Sequence, residues 1–169
     1  MITNKVASSG LITIDLEDYY PEGERVLFDF KGWLFEELIL KEKDFREYLK
    51  QHDWSQYKDK FVAVTCSADA IIPAWSYMLI FSKLEPFARK IVFGDLNKLE
   101  DEIFSDVLQK LNFEDFRDER IVIKGCSKKP VPVSAYASLT ALLRPVVKSI
   151  MYGEPCSTVP VYKRKETSE

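Results

Sequence analysis

Four residues with reactive or metal-binding side chains follow predicted strands at a nearly constant interval. They are Cys66, Asp95, Cys126 and Cys156, and the intervals between them are 29, 31 and 30 residues. One strand–helix–strand repeat of a parallel sheet has a length of about 30 residues. Because the carboxyl ends of parallel strands lie on one edge of a sheet, we expect all three thiols at that edge.

Three thiols at one edge predict a metal site. Thiolates are soft donors that bind zinc or iron–sulfur clusters, and an oxygen or nitrogen ligand can complete a tetrahedron. Asp69 is the candidate for that fourth position, with the single histidine, His52, as its competitor. The predicted metal ligands are therefore Cys66, Cys126, Cys156 and Asp69. The alternative is that the cysteines are structural, because free cysteines often pack as small buried hydrophobes and these lack a paired C-x-x-C spacing.

Neighbouring polar residues suggest support for a thiolate or a bound anion. Lys128 and Lys129 follow Cys126, and Ser157 follows Cys156. A helix is predicted to begin just after Cys66, and a helix N-terminus lowers a thiol pKa. A further hypothesis is therefore a metal-free thiol enzyme with Cys66 or Cys126 as the nucleophile. In the simplest alternative, Asp69 caps that helix and the two lysines belong to a solvated loop.

Several catalytic motifs are missing from the sequence. No strand is followed by G-x-x-x-x-G-K-[ST] or G-x-G-x-x-G, the glycine-rich loops that bind nucleotide phosphates. No G-x-S-x-G motif occurs, so the sequence does not predict a serine hydrolase of that type. A Cys–His or Ser–His hydrolase would depend on His52, the only histidine, which we expect at the end of a helix.

Composition indicates a globular chain with few obvious macromolecular partners. The 169 residues carry 24 Lys and Arg against 27 Asp and Glu, and 46% of residues are hydrophobic. Without a basic block, duplex nucleic acid is not an expected partner, whereas a protein partner and the oligomeric state stay open. The most apolar stretch, residues 70–81, is too short to cross a bilayer. An odd number of cysteines and the lack of an apolar leader favour a cytoplasmic location.

Alternation of helices and strands predicts the fold class. Strands are predicted over residues 61–65, 90–94, 120–124 and 149–152, with helices between them. Such alternation predicts an α/β three-layer sandwich with a mainly parallel sheet. We expect the Phe61 strand beside the Arg120 strand, with the Lys90 strand on its other side. The helix over residues 70–81 is expected to begin near Asp69 and to be buried on nearly every side.

The first 41 residues have a different pattern. Residues 11–16 and 25–30 alternate like half-exposed strands and predict an N-terminal β-strand pair. This pair either extends the main sheet or forms a cap beside it. The predicted organisation is residues 1–41 as the strand pair and its connection, residues 42–162 as the α/β domain, and residues 163–169 as a flexible tail.

Four stretches of the chain resemble an uncharacterised bacterial family of domains of unknown function. They are residues 53–57, 66–75, 124–127 and 152–160, and the resemblance covers nearly the whole chain. No activity is established for that family. The resemblance implies a neighbourhood of iron–sulfur assembly genes, and hence an accessory role in cluster assembly or sulfur transfer. By ligand type alone, three cysteines and one aspartate are also similar to the zinc site of sulfur-transfer scaffolds, whose fold is different. The other hypotheses are a non-catalytic binding or interaction module and the metal-free thiol enzyme.

Overall fold

The computed structural model describes residues 5–6, 10–125, 128–154 and 157–167. Its helices are α1 (Glu42–Gln51), α2 (Ala74–Leu84), α3 (Leu96–Gln109) and α4 (Val133–Leu143). Its strands are β1 (Lys5–Val6), β2 (Leu11–Ile14), β3 (Arg25–Asp29), β4 (Phe61–Thr65), β5 (Lys90–Phe93), β6 (Arg120–Ile123), β7 (Ser149–Glu154) and β8 (Ser157–Lys163). Most strand pairs are parallel, which confirms the predicted α/β class.

The strands form two sheets instead of the one that was predicted. One has the order β1-β2-β6-β7-β8 and the other has the order β3-β4-β5. The expectation that the Phe61 strand (β4) neighbours the Arg120 strand (β6) is therefore wrong, although β5 does pair with β4. Alternation of helices and strands requires parallel pairing but does not decide which strands pair.

The N-terminal strands explain the division into two sheets. β2 pairs in parallel with β6, and β3 pairs in parallel with β4, so these two segments extend different sheets. An antiparallel N-terminal pair is present, but it consists of β1 and β2. The expected pairing of residues 11–16 with residues 25–30 is not found. Each segment alternates apolar and polar residues, which suits a strand of either sheet.

The chain divides into two compact units. The first unit is Met1–Pro21 with Ile103–Glu169 and contains the five-stranded sheet. The second unit is Glu22–Glu102 and contains the three-stranded sheet. The predicted boundaries after residues 41 and 162 stay predictions.

The two faces of the three-stranded sheet have different surroundings. On one face, the fully buried Val62 and Val64 belong to a cluster that includes Phe45 and Leu49 of α1 and Ile80 and Leu84 of α2. Successive strand residues point to opposite faces, so Phe61 and its register partner Arg25 lie on the other face. There Arg25 Nε donates to Glu100 Oε1 of α3 at 2.7 Å. Helix α3 therefore contacts this second face of the sheet through an ion pair.

The core of the first unit is formed by one face of the five-stranded sheet and two helices. Its buried side chains come from β2, β6 and β7, from the second half of α3 and from α4. They include Ile121 and Ile150 of the sheet, Phe104 of α3 and Leu139 of α4, each between 0% and 2% exposed. Burial of large apolar side chains of this kind contributes about 1.5–3 kcal/mol each before chain entropy is subtracted.

Helix α2 begins later than the sequence predicts. Its first residue is Ala74 and its N-cap is Pro73, so the prediction that it begins near Asp69 is wrong. Proline disfavours helical geometry in the residue that precedes it, which is consistent with a helix that begins only after Pro73. The expectation of burial on nearly every side also fails, because Met78 is 69% exposed. A run of apolar residues predicted burial, but the helix buries only one of its faces.

Candidate functional site

The carboxyl ends of β6 and β7 lie side by side in the five-stranded sheet. Ile123 is the register partner of Tyr152, and the Tyr152 hydroxyl donates to the Gly125 carbonyl oxygen at 3.1 Å. A Cβ atom at position 125 would lie 2.8 Å from the Tyr152 ring, closer than van der Waals contact allows. Glycine at this position therefore lets the segment just before Cys126 pack against β7.

β7 pairs with β8 in an antiparallel manner up to the same edge of the sheet. Glu154 is paired with Ser157, the first residue of β8, and Pro155 and Cys156 connect them in sequence. Gly153 has a φ of 123°, and a Cβ there would lie 2.6 Å from the Ser157 carbonyl oxygen. Cys126 and Cys156 themselves lie outside the described residues, and their assignment as metal ligands stays a prediction.

A lysine and a carboxylate form an ion pair at the same edge. Lys124 Nζ lies 3.1 Å from the Asp15 carboxylate. The hydrogen bond and charge of Asp15 raise the pKa of Lys124, with additional attraction from Glu154 and Glu17. Asp15 also accepts a hydrogen bond from the Glu17 amide at 3.0 Å and so caps the short 3₁₀ turn that follows β2. The edge therefore offers oxygen ligands next to the segment that leads to Cys126.

The lysines predicted to support a thiolate contact residues that follow β2. The Lys128 backbone amide donates to Glu17 Oε2 at 3.1 Å, and Lys129 Nζ lies 5.3 Å from the centroid of the Tyr20 ring. Both contacts fasten the segment after Cys126 to the segment after β2. Neither contact tests the predicted interaction of these lysines with a thiolate or an anion.

Sequence reasoning missed the part of this edge that β2 contributes. Asp15 and Glu17 were not among the predicted site residues, and Tyr152 was not given a role. The signal available was the position of Asp15 near the carboxyl end of the alternating segment, and in a parallel sheet that end of a strand lies at the ligand-binding edge. That signal could be used only if β2 was known to pair with β6 in parallel.

Cys66 lies in the second unit, just after β4, and is a half-buried free thiol. Burial raises its pKa above the ordinary 9.0; a hydrogen bond from the Ala68 amide opposes this, and the Asp29 carboxylate adds to it. The expected lowering of its pKa by a helix N-terminus is therefore not found, because α2 begins eight residues later. A thiol with a raised pKa carries little thiolate at neutral pH, which disfavours Cys66 as a nucleophile.

The carboxylates near Cys66 have different surroundings. Asp29 accepts hydrogen bonds from the Ser67 hydroxyl at 2.6 Å and from the Ser67 amide at 3.1 Å. Burial works to raise the pKa of Asp29, but these bonds and the Lys31 amide outweigh it and lower the pKa. Asp69 is exposed, and since Pro73 is the N-cap of α2, the alternative that Asp69 caps this helix is wrong.

His52 packs among aromatic rings at the end of α1. It is the C-cap residue of that helix, as the sequence indicated. Its Nε2 lies 2.7 Å from the Tyr57 hydroxyl oxygen, and its ring contacts Trp54 with a centroid distance of 4.7 Å. Burial lowers the pKa of His52, with partial opposition from Asp53. These contacts favour a structural role for this histidine.

The two-sheet topology changes the basis of the predicted metal site. Cys126 follows β6 and Cys156 follows β7, which are adjacent, whereas Cys66 follows a strand of the other sheet. The argument from a single sheet edge therefore applies to Cys126 and Cys156 and no longer to Cys66. In the part of the chain that the structure describes, no group of three or more His, Cys, Asp or Glu side chains is placed to hold a metal ion.

Comparison with known proteins gives a family and nothing more specific. Residues 1–164 match the family described as "Protein of unknown function (DUF2480)". The chain belongs to the DUF2480 family. This confirms the resemblance on which the sequence interpretation drew. No curated protein and no solved structure matches the chain. Among the described residues of this DUF2480 member, no helix is long and apolar enough to cross a membrane.

Proposed function

We propose that this DUF2480 protein binds a thiophilic metal centre at the carboxyl edge of its five-stranded sheet. The centre is zinc or an iron–sulfur cluster, with Cys126 and Cys156 as thiolate ligands. The observation that carries the proposal is the hydrogen bond from Tyr152 to Gly125, which fastens the residue before Cys126 to the strand that leads to Cys156. We further propose that the protein is cytoplasmic, where thiols stay reduced.

Sheet geometry supports a shared site for these two residues. Adjacent strands lie about 4.8 Å apart, and Ile123 and Tyr152 are partners at the ends of two such strands. Cys126 follows Ile123 by three residues and Cys156 follows Tyr152 by four. Loops of that length from neighbouring strand ends can bring two sulfur atoms to one ion, to which each would bind at about 2.3 Å.

The remaining ligands would come from the surrounding carboxylates or from the other predicted residues. Asp15, Glu17 and Glu154 contribute to the electrostatic environment of Lys124 at this edge. An oxygen from one of them would complete a zinc site, since carboxylates are common zinc ligands. Cys66 and Asp69 stay candidate ligands from the sequence.

An accessory role in cluster assembly or sulfur transfer is compatible with such a ligand set. Two or three thiolates leave a position that a water, a sulfide or an incoming thiol can occupy, in contrast to the closed four-ligand sites that serve structure alone. The competing function is a binding or interaction module with structural cysteines. The raised pKa and partial burial of Cys66 favour that role for this one cysteine.

Metal analysis of three matched cysteine variants tests the proposal. The full chain is purified anaerobically without chelators, reconstituted with zinc or with iron and sulfide, and analysed for bound metal and free thiols. We expect stoichiometric metal in the wild type and its loss in both C126S and C156S. C66S is the comparison variant: it makes the same substitution in the second unit and tests whether Cys66 is also a ligand.

The outcomes of this experiment distinguish the two possible ligand sets and the competing function. Retention of metal by C66S supports a site of two thiols with carboxylates, and its loss supports the three-thiol site of the sequence prediction. A wild-type chain that holds no metal after reconstitution, with three reduced thiols, contradicts the proposal and favours the interaction module.

A further inference from the structure

A groove lies at the opposite end of the five-stranded sheet, where β6 and β7 begin and β8 ends. Its volume is about 660 Å³. Five cationic residues and one acidic residue line it: Arg120, Lys148, Lys163, Arg164, Lys165 and Glu166. Its lining also includes apolar surface from Met151 and Tyr162. The groove shares no residue with the carboxyl-edge site and so does not depend on the proposed metal function.

One wall of the groove is held in place by Arg164. Its Nη1 donates to the Asp118 carboxylate at 2.6 Å, and its Nη2 donates to the Val146 carbonyl oxygen at 3.1 Å. The Arg164 backbone amide donates to the Lys148 carbonyl oxygen at 2.8 Å and so extends the β7–β8 pairing by one step. Arg164, the first residue after β8, is therefore fastened beside the sheet, so this wall of the groove is in place before any ligand is bound.

Among the described residues, the other four cations have no carboxylate partner in an ion pair. Arg120, Lys148, Lys163 and Lys165 form no ion pair with any other residue that the structure describes. Lys148 contributes to lowering the pKa of Asp118, but that carboxylate is already bound by Arg164. The chain as a whole has a net charge of −3, so this concave surface has the opposite sign to the molecule. A concave surface of one charge attracts and concentrates ions of the other.

We propose that this groove binds a phosphorylated small molecule that has an apolar body. The volume falls within the range of about 300–1,000 Å³ that is usual for small-molecule sites. Arginine and lysine side chains recognise phosphate through charge-assisted hydrogen bonds, and the planar guanidinium of Arg120 can bind two phosphate oxygens. Met151 and Tyr162 supply the apolar surface for the body of the ligand.

Binding of 1-naphthyl phosphate, measured by titration calorimetry on the full chain, tests the proposal. Inorganic phosphate and 1-naphthol are matched ligands, since the first lacks the apolar body and the second lacks the charge. The groove variant is R120A/K163A. Its control is K43A/K83A, which removes the same charge from two exposed lysines on α1 and α2. Arg120 and Lys163 are exposed, so their truncation leaves the core intact.

We expect 1-naphthyl phosphate to bind the wild type more tightly than either matched ligand, with affinity that falls as salt rises. R120A/K163A should weaken this binding about tenfold or more, because charge-assisted hydrogen bonds to phosphate are lost. K43A/K83A should leave it unchanged. Absence of binding at millimolar concentrations, or equal weakening in both variants, would overturn the proposal. Equal affinity for inorganic phosphate and 1-naphthyl phosphate would overturn the assignment of an apolar body.

Discussion

The Tyr152 hydroxyl donates a hydrogen bond to the Gly125 carbonyl oxygen, and the Tyr152 ring occupies the space that a side chain at position 125 would need. This contact joins the ends of two parallel strands. Each of these ends leads, within a few residues, to a cysteine. The proposed metal site depends on this contact more than on any other in the described structure.

Two glycine substitutions at this edge should lower the unfolding free energy by different amounts. Gly125→Ala meets the far end of the Tyr152 side chain, which can move, so we expect a loss of about 1 kcal/mol in unfolding free energy. In Gly153→Ala the new methyl group would clash with the Ser157 carbonyl oxygen, and the backbone at position 153 has a positive φ. We therefore expect this substitution to lower the unfolding free energy by about 2–3 kcal/mol. Urea denaturation measures both. Equal costs would show that the backbone contact at position 153 is not a rigid constraint.

Stability should fall as the pH is lowered through the range in which His52 is protonated in the unfolded chain. Burial lowers the pKa of His52 in the folded chain below 6.5, so the unfolded chain binds this proton first. Below pH 6.5, protonation therefore favours unfolding, and the unfolding free energy decreases. Urea denaturation between pH 7.5 and about 5.5 measures this slope, and the expected slope is absent in His52→Gln. Because His52 is the only histidine, identical slopes in the two proteins would exclude this explanation.

Cys66 should titrate as a weakly acidic thiol. In the double variant C126S/C156S it is the only cysteine, so alkylation by iodoacetamide reports its thiolate alone. The alkylation rate is plotted against pH, and we expect the midpoint of this curve to lie above pH 9.0, because burial and the Asp29 carboxylate both disfavour the thiolate. A midpoint near neutral pH would restore Cys66 as a candidate nucleophile and support the thiol enzyme.

The Arg25–Glu100 pair should be sensitive to the loss of one partner. The two side chains are 12% and 19% exposed, and the Arg25 guanidinium also lies 4.8 Å from the centroid of the Phe61 ring. We expect Glu100→Leu to cost about 3 kcal/mol, because it leaves a largely buried charge without its carboxylate. Replacing both residues, as R25M/E100L, should cost less than E100L alone. A double variant that is less stable than E100L would show that Arg25 stabilises the fold chiefly through its other contacts.

The sequence predicted most elements of the fold but not their partners. Periodicity placed β4, β5, β6 and β7 within a residue or two, because a buried strand requires a local run of apolar side chains. Pairing depends on contacts between segments far apart in the chain, and β2 and β3 are equally suited to either sheet. The late start of α2 could have been predicted from the sequence, since Pro73 disfavours helical geometry in the residue before it.

The candidate site was also predicted only in part, because strand pairing cannot be derived from local sequence pattern. Local periodicity predicts that Cys126 and Cys156 each follow a strand, whereas the expected proximity of Cys66 to them depended on a single sheet. Asp15 and Glu17 were missed because their place at this edge depends on the pairing of β2 with β6. Residues whose role is set by long-range pairing cannot be recognised from local pattern alone.

Cobalt substitution tests the central claim most directly, because cobalt bound to thiolates in a zinc-type site gives a sulfur-to-metal charge-transfer band whose intensity follows the number of thiolate ligands. The reduced wild-type chain is titrated with Co²⁺, alongside C126S, C156S and C66S. We expect the band in the wild type and its weakening or loss in C126S and C156S, each of which removes one thiolate from the site. An absent charge-transfer band in the wild type, or one that C126S and C156S both leave unchanged, would contradict a metal site at this edge of the sheet.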